Sequence, residues 1–251
     1  MNAKKYLKRL KIENVTHPDL TNLKLLHKNH LYNIPFENLD IHYNNKIILD
    51  FDLIEKKILN NNRGGFCYEL NGLFYKFLIE LGFKVKMINA RVYNNQQIPG
   101  PDYDHMALIV DINGDEYLAD VGFGDNFLEP LKFETGIIQK DETGYFKIIK
   151  YDKNYYKLLK SPDGIIFKES YLFSVDEEKF DNFQFMCNYH QTSPDSHFTQ
   201  KRICSKAFEK GRITISDLKI IITENGTKAE TILPDEKEYL EMLKKYFNII
   251  I

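Results

Sequence analysis

Three residues have the types and the order of an activated nucleophile: Cys67, His105 and Asp120. A thiol is mostly protonated at neutral pH, so it needs a base before it can attack a carbonyl. An imidazole accepts the thiol proton, and a carboxylate on its other ring nitrogen fixes the tautomer and stabilises the imidazolium. The set predicts a thiolate–imidazolium pair that attacks a thioester or an amide.

The segment that precedes the cysteine, residues 63–67, has the sequence Arg-Gly-Gly-Phe-Cys. Two glycines allow backbone angles that other residues avoid, which predicts a sharp turn. Apolar residues then recur at helical spacing from Cys67 to Leu81, and Gly82 stands where a helix stops. We therefore predict that Cys67 lies in the first turn of a buried helix, where free amides and the helix dipole favour a thiolate. The alternative is a buried cysteine that only fills space.

A hairpin accounts for the other two residues. Residues 105–110 and 116–121 are strand-like, and Asn113-Gly114 between them is typical of a two-residue turn. This register places residue 105 opposite residue 121 or 122. His105 and Asp120 are therefore expected to be neighbours.

The periodicities predict an α+β fold with helices first, then a strand meander, then a mixed tail. Residues 1–82 are predicted to be helical, and the histidines at 17, 27, 30 and 42 are expected at the surface or core edge. Further strands are expected at 83–87, 145–151, 155–160 and 165–172. Ser174 and Glu177 suggest a capping box that starts a helix, and a last helix is expected at 235–247.

Composition excludes several classes of protein. A net charge of -2 over 251 residues and a pI near 6.4 argue against nucleic-acid binding and against binding at a membrane surface. The first residues lack the apolar core of a signal peptide. Three scattered cysteines fit neither a disulfide framework nor a metal site, so Cys187 and Cys204 are expected to be structural. These features predict a cytoplasmic enzyme without a metal.

Several motifs in this order resemble the arylamine N-acetyltransferase family along nearly the whole chain. The residues that carry the resemblance are Ile34–Leu39, Arg63–Cys67 with Glu69 and Asn71, Ala90–Val92, His105–Val110, Asp120–Gly124 and Thr192–Phe198. The resemblance implies a papain-like Cys-His-Asp core within three domains. These are a helical bundle at 1–82, a β-barrel at 83–190 and a C-terminal α/β lid at 191–251.

The resemblance also implies an activity. The family transfers an acetyl group from acetyl-CoA to arylamines, arylhydrazines or N-hydroxyarylamines by a ping-pong mechanism, through an acetyl-cysteine. The implied catalytic triad is Cys67, His105 and Asp120. The implied partners are coenzyme A and a small aromatic amine or hydrazine, with no nucleic acid and no membrane.

The remaining site residues are assigned from the same resemblance. Gly122 and Gly124 belong to a short glycine loop that approaches the cofactor. Asp104, the acidic residue before His105, departs from the family pattern; we place it at the cofactor site, where its charge is expected to disfavour phosphates. The acceptor site is expected to be walled by Phe36, Phe123 and Phe198. We also expect Glu37 and Arg63 to form an ion pair that holds the turn before Cys67, the alternative being two solvated side chains.

Two other functions stay open at this point. A transglutaminase-like or cysteine-protease-like enzyme uses the same three residue types for acyl transfer or hydrolysis. His105 follows Cys67 by far fewer residues than in papain-like proteases, but a transglutaminase-like core has a related order. A binding module without catalysis is the third interpretation, and the presence of all three triad residue types disfavours it.

Overall fold

The computed structural model describes residues 2–251, which form eight α-helices and thirteen strands. The helices are α1 Ala3–Leu10, α2 Leu20–Asn33, α3 Leu39–His42, α4 Phe51–Glu55, α5 Cys67–Glu80, α6 Gln184–Thr192, α7 His197–Gln200 and α8 Glu236–Phe247. A π-helical turn, Lys56–Asn60, follows α4, and a 3-10 turn, Phe180–Phe183, precedes α6. The strands are β1 Phe36–Glu37, β2 Lys84–Val92, β3 His105–Ile112, β4 Asp115–Ala119, β5 Leu131–Lys132, β6 Ile138–Asp141, β7 Gly144–Lys150, β8 Tyr155–Ser161, β9 Lys168–Ser174, β10 Ile203–Phe208, β11 Gly211–Ser216, β12 Lys219–Glu224 and β13 Thr227–Ile232.

The strands form two antiparallel sheets, so the α+β class is confirmed. The larger sheet has the order β5-β4-β3-β2-β9-β8-β7-β6. A bridge between Thr135 and Ile148 links the segment after β5 to β7, which brings the two ends of this sheet together in a nearly closed barrel. The smaller sheet has the order β1-β10-β11-β12-β13, and α8 packs against it.

The central strand β3 is buried on both faces. Met106, Leu108 and Val110 pack against the helical core around α5, whereas Ala107 and Ile109 face the barrel interior. Because side chains alternate along a strand, His105 shares the barrel-interior face with Ala107. The same alternation places residue 120, just beyond β4, on that face with Leu118.

Predictions made from short stretches of the sequence are confirmed for the elements that carry the site. Helix α5 begins at Cys67, and Gly82 follows its end with a φ of +86°. The β3–β4 hairpin turns at Asn113-Gly114, where both residues have positive φ as a two-residue turn requires. Helix α2 begins after Asp19, whose side chain accepts a hydrogen bond from the Asn22 amide, and it ends before Pro35.

Two predictions were wrong. No helix begins at Ser174, because β9 extends to that residue and the Ser174 hydroxyl bonds to Asp176 instead of capping a helix. His27 and His30 are not at the surface or core edge but fully buried on α2.

Contacts between distant parts of the chain join the predicted domains. Strand β1 pairs with β10, so residues 36–37 belong to the sheet formed by the C-terminal part. Phe183 and Met186 pack into the same core as helices α1 to α5. The division at residues 82 and 190 stays a prediction. No helix within residues 2–251 is long and apolar enough to cross a membrane.

Candidate active site

The turn before Cys67 is held by close backbone contacts. The Gly65 carbonyl accepts from the Glu37 amide at 2.9 Å, and a Cβ on Gly64 would lie 1.9 Å from the Pro35 carbonyl oxygen. Neither Gly64 nor Gly65 has a positive φ. The two glycines are therefore needed for close approach to the 35–37 segment and not for unusual backbone angles, which corrects the sequence interpretation.

A buried charge network fixes this turn. Arg63 binds both carboxylate oxygens of Glu37, with Nε–Oε1 and Nη2–Oε2 distances of 2.9 and 3.1 Å, so the predicted ion pair is confirmed. Lys57, on the π-helical turn, lies 2.8 Å from Glu69 and 2.7 Å from Asp40. The other oxygen of Glu69 accepts from the Phe66 amide and so caps α5. Sequence reasoning missed Lys57, whose partners lie far from it in the chain.

His105 and Asp120 form a buried pair. His105 Nε2 donates to Asp120 Oδ2 at 2.8 Å. Asp120 Oδ1 accepts from Asn71 Nδ2 at 2.9 Å and from the Gly122 amide at 3.0 Å. Burial opposes ionisation of Asp120, but His105 and these donors together hold the pKa of the Asp120 carboxyl below its ordinary value. Among residues 2–251 the imidazole makes no other side-chain hydrogen bond, which leaves Nδ1 available for a reacting group.

The environment of Cys67 differs from the one expected from helix position alone. Burial raises the pKa of the Cys67 thiol, and the negative charges of Asp104 and Asp120 act in the same direction. The Met106 amide, directed at the sulfur, opposes this increase in pKa. Cys67 therefore needs a base to take its proton, because burial and the nearby carboxylates favour the protonated thiol.

One cavity of about 220 Å³ brings most of the predicted residues together. Its lining is Phe36, Cys67, Val92, Asp104, His105, Gly122, Phe123, His197 and Phe198. Two predicted residues do not line it. Asp120 lies behind His105. Gly124 lies beside the ring of Phe36, and a Cβ added to Gly124 would be 3.5 Å from the nearest ring atom. Larger cavities elsewhere, of about 420 and 480 Å³, lack all three of Cys67, His105 and Asp120.

Gly122 packs directly against the nucleophile helix. A Cβ at this position would lie 2.8 Å from the Cys67 Cα and 2.6 Å from Asn71 Nδ2. The Gly122 amide is already bonded to Asp120. The glycine loop therefore positions the site, whereas the assignment of Gly122 and Gly124 to cofactor contacts remains a prediction.

Sequence reasoning missed three positioning groups. Asn71 joins α5 to Asp120, and it also accepts from the Val121 amide at 2.9 Å. His27 accepts from the Asp120 amide at 3.0 Å. His190 lies 3.3 Å from Asp104. Asn71 could have been found, since it belongs to the motif around Cys67, but nothing near His27 or His190 in the sequence indicates their partners.

In the part of the chain that the structure describes, no group of three or more histidine, cysteine, aspartate and glutamate side chains is arranged to hold a metal ion. The cavity brings together a thiol and an imidazole, with a buried carboxylate behind the imidazole and phenylalanine rings around them. Such a site can form and cleave a thioester on Cys67.

Comparisons with known proteins agree with this geometry. A sequence model of the N-acetyltransferase family matches residues 19–251. The chain is 30% identical to the chicken arylamine N-acetyltransferase pineal gland isozyme NAT-10, over 100% of this chain and 95% of the relative. It is 29% identical to the Salmonella typhimurium arylamine N-acetyltransferase / N-hydroxyarylamine O-acetyltransferase, over 97% and 87% of the two chains.

The fold is similar to solved structures as well. A Bacillus cereus arylamine N-acetyltransferase, described as having a unique Cys-His-Glu catalytic triad, superposes with a TM-score of 0.92 at 28% identity and covers 100% of both chains. The agreement in sequence and in structure extends over the whole fold, including the elements that carry Cys67, His105 and Asp120. The chain is an enzyme that belongs to the arylamine N-acetyltransferase family.

Proposed function

We propose that this enzyme transfers an acetyl group from acetyl-CoA to arylamines, arylhydrazines or N-hydroxyarylamines through an acetyl-Cys67 intermediate. One observation carries the proposal: Cys67 and the His105–Asp120 pair meet at a cavity walled by Phe36, Phe123 and Phe198. Aromatic walls suit a flat aromatic acceptor, because rings gain from edge and offset contacts as well as from burial. The name of the Salmonella relative includes two of these acceptor classes, arylamines and N-hydroxyarylamines.

In the first half-reaction, His105 takes the proton of Cys67 and the sulfur attacks the acetyl carbonyl carbon. Asp120 stabilises the resulting imidazolium and is hydrogen-bonded to Nε2, so Nδ1 is the nitrogen that accepts and returns the proton. The carbonyl π electrons move to oxygen, and their return expels the CoA sulfur, which receives the proton from the imidazolium. The Cys67 amide in the first turn of α5 is proposed as a donor to the oxyanion.

In the second half-reaction, the neutral amine attacks the acetyl-Cys67 carbonyl and His105 takes a proton from the amine nitrogen. Collapse of the tetrahedral species breaks the carbon–sulfur bond. It releases the amide product, and the leaving Cys67 sulfur takes back the proton from His105, which restores the starting state. The covalent intermediate lets two substrates use one small cavity in turn.

The donor fits this site at its acetyl end. The cavity is large enough for an acetyl thioester beside Cys67, and the described residues that line it include no lysine or arginine to hold phosphates. We therefore place the thioester in the cavity and the phosphates outside it. We propose that Gly122, Gly124 and Asp104 contact the cofactor between its thioester and its phosphates.

The proposal is tested by incubating the enzyme with acetyl-CoA labelled in the acetyl group, without an acceptor. We expect one acetyl group per chain, located on Cys67 by peptide mapping, and its release as an acetylated product when an arylamine is added. Cys67→Ala should take up no label, whereas the matched control Cys187→Ala, a buried cysteine outside the cavity, should still be labelled. An enzyme that stays unlabelled, or a label retained in Cys67→Ala, would contradict the proposal.

The role of Asp120 is tested separately. Asp120→Asn keeps the size of the side chain but removes the charge that stabilises the imidazolium. We expect acetylation of Cys67 to slow by about 10⁴-fold, as when the carboxylate of such a triad is replaced by an amide. A near-normal rate would make Asp120 a structural residue only.

A further inference from the structure

Asp104 adds a negative charge to the wall of the cavity that holds Cys67 and His105. Its side chain is 16% exposed. The carboxylate is close enough to Cys67 for its charge to disfavour the thiolate. Any acceptor that reaches the sulfur must therefore enter the field of this carboxylate.

The contacts of Asp104 hold it in place without a permanent positive charge. Oδ2 accepts from the Val92 amide at 3.2 Å, and Oδ1 lies 3.3 Å from His190 Nε2. The other ring nitrogen of His190 faces the Ser196 hydroxyl at 3.2 Å. A buried polar network of this kind fixes the position of the carboxylate and leaves its charge to act on the cavity.

Two histidines, His105 and His197, also line the cavity. Burial lowers the pKa of His197, with His190 and Lys201 acting in the same direction and Asp104 opposing them. The charge that His105 gains during the reaction is matched by Asp120 behind it. Among the lining residues that the structure describes, none is a lysine or an arginine.

We infer that Asp104 is a specificity-determining residue that makes this enzyme discriminate against anionic aromatic acceptors, such as aminobenzoates, in favour of neutral or cationic ones. The inference rests on the proposed function. Its physical basis is that two like charges in a small, water-poor space repel strongly and are little screened by salt. An acceptor carboxylate also loses hydration on entry, with no basic side chain in the lining to replace it.

The experiment compares three para-substituted anilines of similar size: aminobenzoate (anionic), aminobenzamide (neutral) and aminobenzylamine (cationic). The acetyl donor is para-nitrophenyl acetate, so that CoA phosphates take no part. For the wild type, we expect the highest kcat/KM with the cationic or the neutral acceptor and the lowest with the anionic one. In Asp104→Asn we expect the ratio of neutral to anionic kcat/KM to fall by about tenfold or more, as removal of one nearby charge at low dielectric implies.

The test compares the neutral-to-anionic kcat/KM ratio of the wild type with that of Asp104→Asn. This comparison cancels differences in the intrinsic reactivity of the acceptors, because those differences belong to the compounds and not to the protein. Asp102→Asn is the matched control. Asp102 lies two residues away, its side chain is 55% exposed, and it is absent from the cavity lining. This variant should keep the wild-type ratio.

A binding measurement on the wild type makes the test independent of how well Asp104→Asn folds. Benzamide should protect Cys67 from alkylation by iodoacetamide at concentrations where benzoate does not. Equal protection by benzamide and benzoate, or the same ratio of neutral to anionic kcat/KM in wild type and Asp104→Asn, would overturn the inference and leave the proposed function intact. If none of the three anilines were acetylated, the proposed function itself would fail.

Discussion

The Nε2 atom of His27 accepts a hydrogen bond from the backbone N–H of Asp120 at 3.0 Å. A backbone N–H can only donate, so the proton of the neutral imidazole lies on Nδ1, which donates to the Leu128 carbonyl at 2.8 Å. Burial lowers the pKa of His27, which keeps the ring neutral at neutral pH. A single side chain of α2 thus holds both ends of the segment that carries Asp120 and the glycine loop.

Replacement of His27 by leucine should destabilise this segment and reduce activity. His27→Leu leaves two buried backbone groups unpaired, at about 1–3 kcal/mol each, so we expect the free energy of unfolding to fall by about 2–6 kcal/mol. We also expect slower acetylation of Cys67, because Asp120 loses its anchor. Urea denaturation and labelling by acetyl-CoA measure the two effects.

His17→Leu is the control for this change, since His17 is exposed. It should leave both stability and labelling close to those of the wild type. Equal behaviour of His17→Leu and His27→Leu would show that the His27 contacts do not contribute.

A methyl group on Gly122 should displace the nucleophile. The added Cβ meets the Cys67 Cα at 2.8 Å and the Cys67 carbonyl oxygen at 2.9 Å, and backbone atoms do not move aside easily. A shift of about 1 Å in a reacting group costs about 10²-fold in rate, which is the loss expected for acetylation in Gly122→Ala. The measurement is the rate of acetyl-enzyme formation in a rapid-mixing experiment.

Gly136→Ala serves as the comparison for this variant. Gly136 has a φ of +86° and open space around an added Cβ, so its replacement strains the backbone without a collision. If Gly136→Ala slowed acetylation as much as Gly122→Ala, the contact with Cys67 would not be the cause.

The ion pair between Lys57 and Glu69 should stabilise the turn before Cys67. Lys57→Met leaves the buried Glu69 carboxylate without its lysine partner, and breaking a buried pair in this way costs about 3–5 kcal/mol. Adding Glu69→Gln removes the uncompensated charge while keeping an oxygen for the Phe66 amide. We therefore expect the double variant to recover part of the lost free energy of unfolding, as measured by urea denaturation. Strictly additive losses would mean that the two side chains are not coupled.

The elements of the fold were predictable from the sequence where one local pattern determines them. The helical spacing after Cys67 predicted α5, and the Asn113-Gly114 turn was sufficient to place His105 beside Asp120. Contacts between distant segments leave no such pattern. The pairing of β1 with β10 and the contact of His190 with Asp104 depend on how helices and strands pack together after they form. Neither the hydrophobic periodicity nor the secondary-structure propensity of a single segment predicts such packing.

Local chemistry was also misleading in places. Ser174 and Glu177 match a capping box, but β9 extends to Ser174 because its neighbours Tyr171 and Phe173 are buried in the barrel. The helix position of Cys67 suggested a favoured thiolate, whereas burial raises the pKa of its thiol. In both cases the tertiary environment overrides a preference that belongs to a short segment.

Stability should fall on acidification because of the buried histidines, of which His30 is the clearest. His30 is fully buried, its Nδ1 is hydrogen-bonded to the Tyr6 hydroxyl at 2.6 Å, and its Nε2 has no partner within the described residues. Burial holds the pKa of His30 well below 6.5, with His27 and Arg9 acting in the same direction. The unfolded chain takes up a proton as the pH falls through about 6.5, whereas the folded chain resists protonation until a lower pH. The stabilising contribution is therefore complete above that pH and is lost below it, by about 1.4 kcal/mol per pH unit for each such histidine.

The change in slope is measured by urea denaturation of wild type and His30→Asn at a series of pH values from neutral to mildly acidic. His30→Asn keeps a hydrogen-bonding group near Tyr6 but cannot titrate. We expect the free energy of unfolding of this variant to depend less steeply on pH, by the contribution of one proton, whatever its absolute stability. His17→Asn changes an exposed histidine and should retain the wild-type slope. If His30→Asn retained that slope too, His30 would take up its proton equally in both states, and its burial would not be the source of the acid sensitivity.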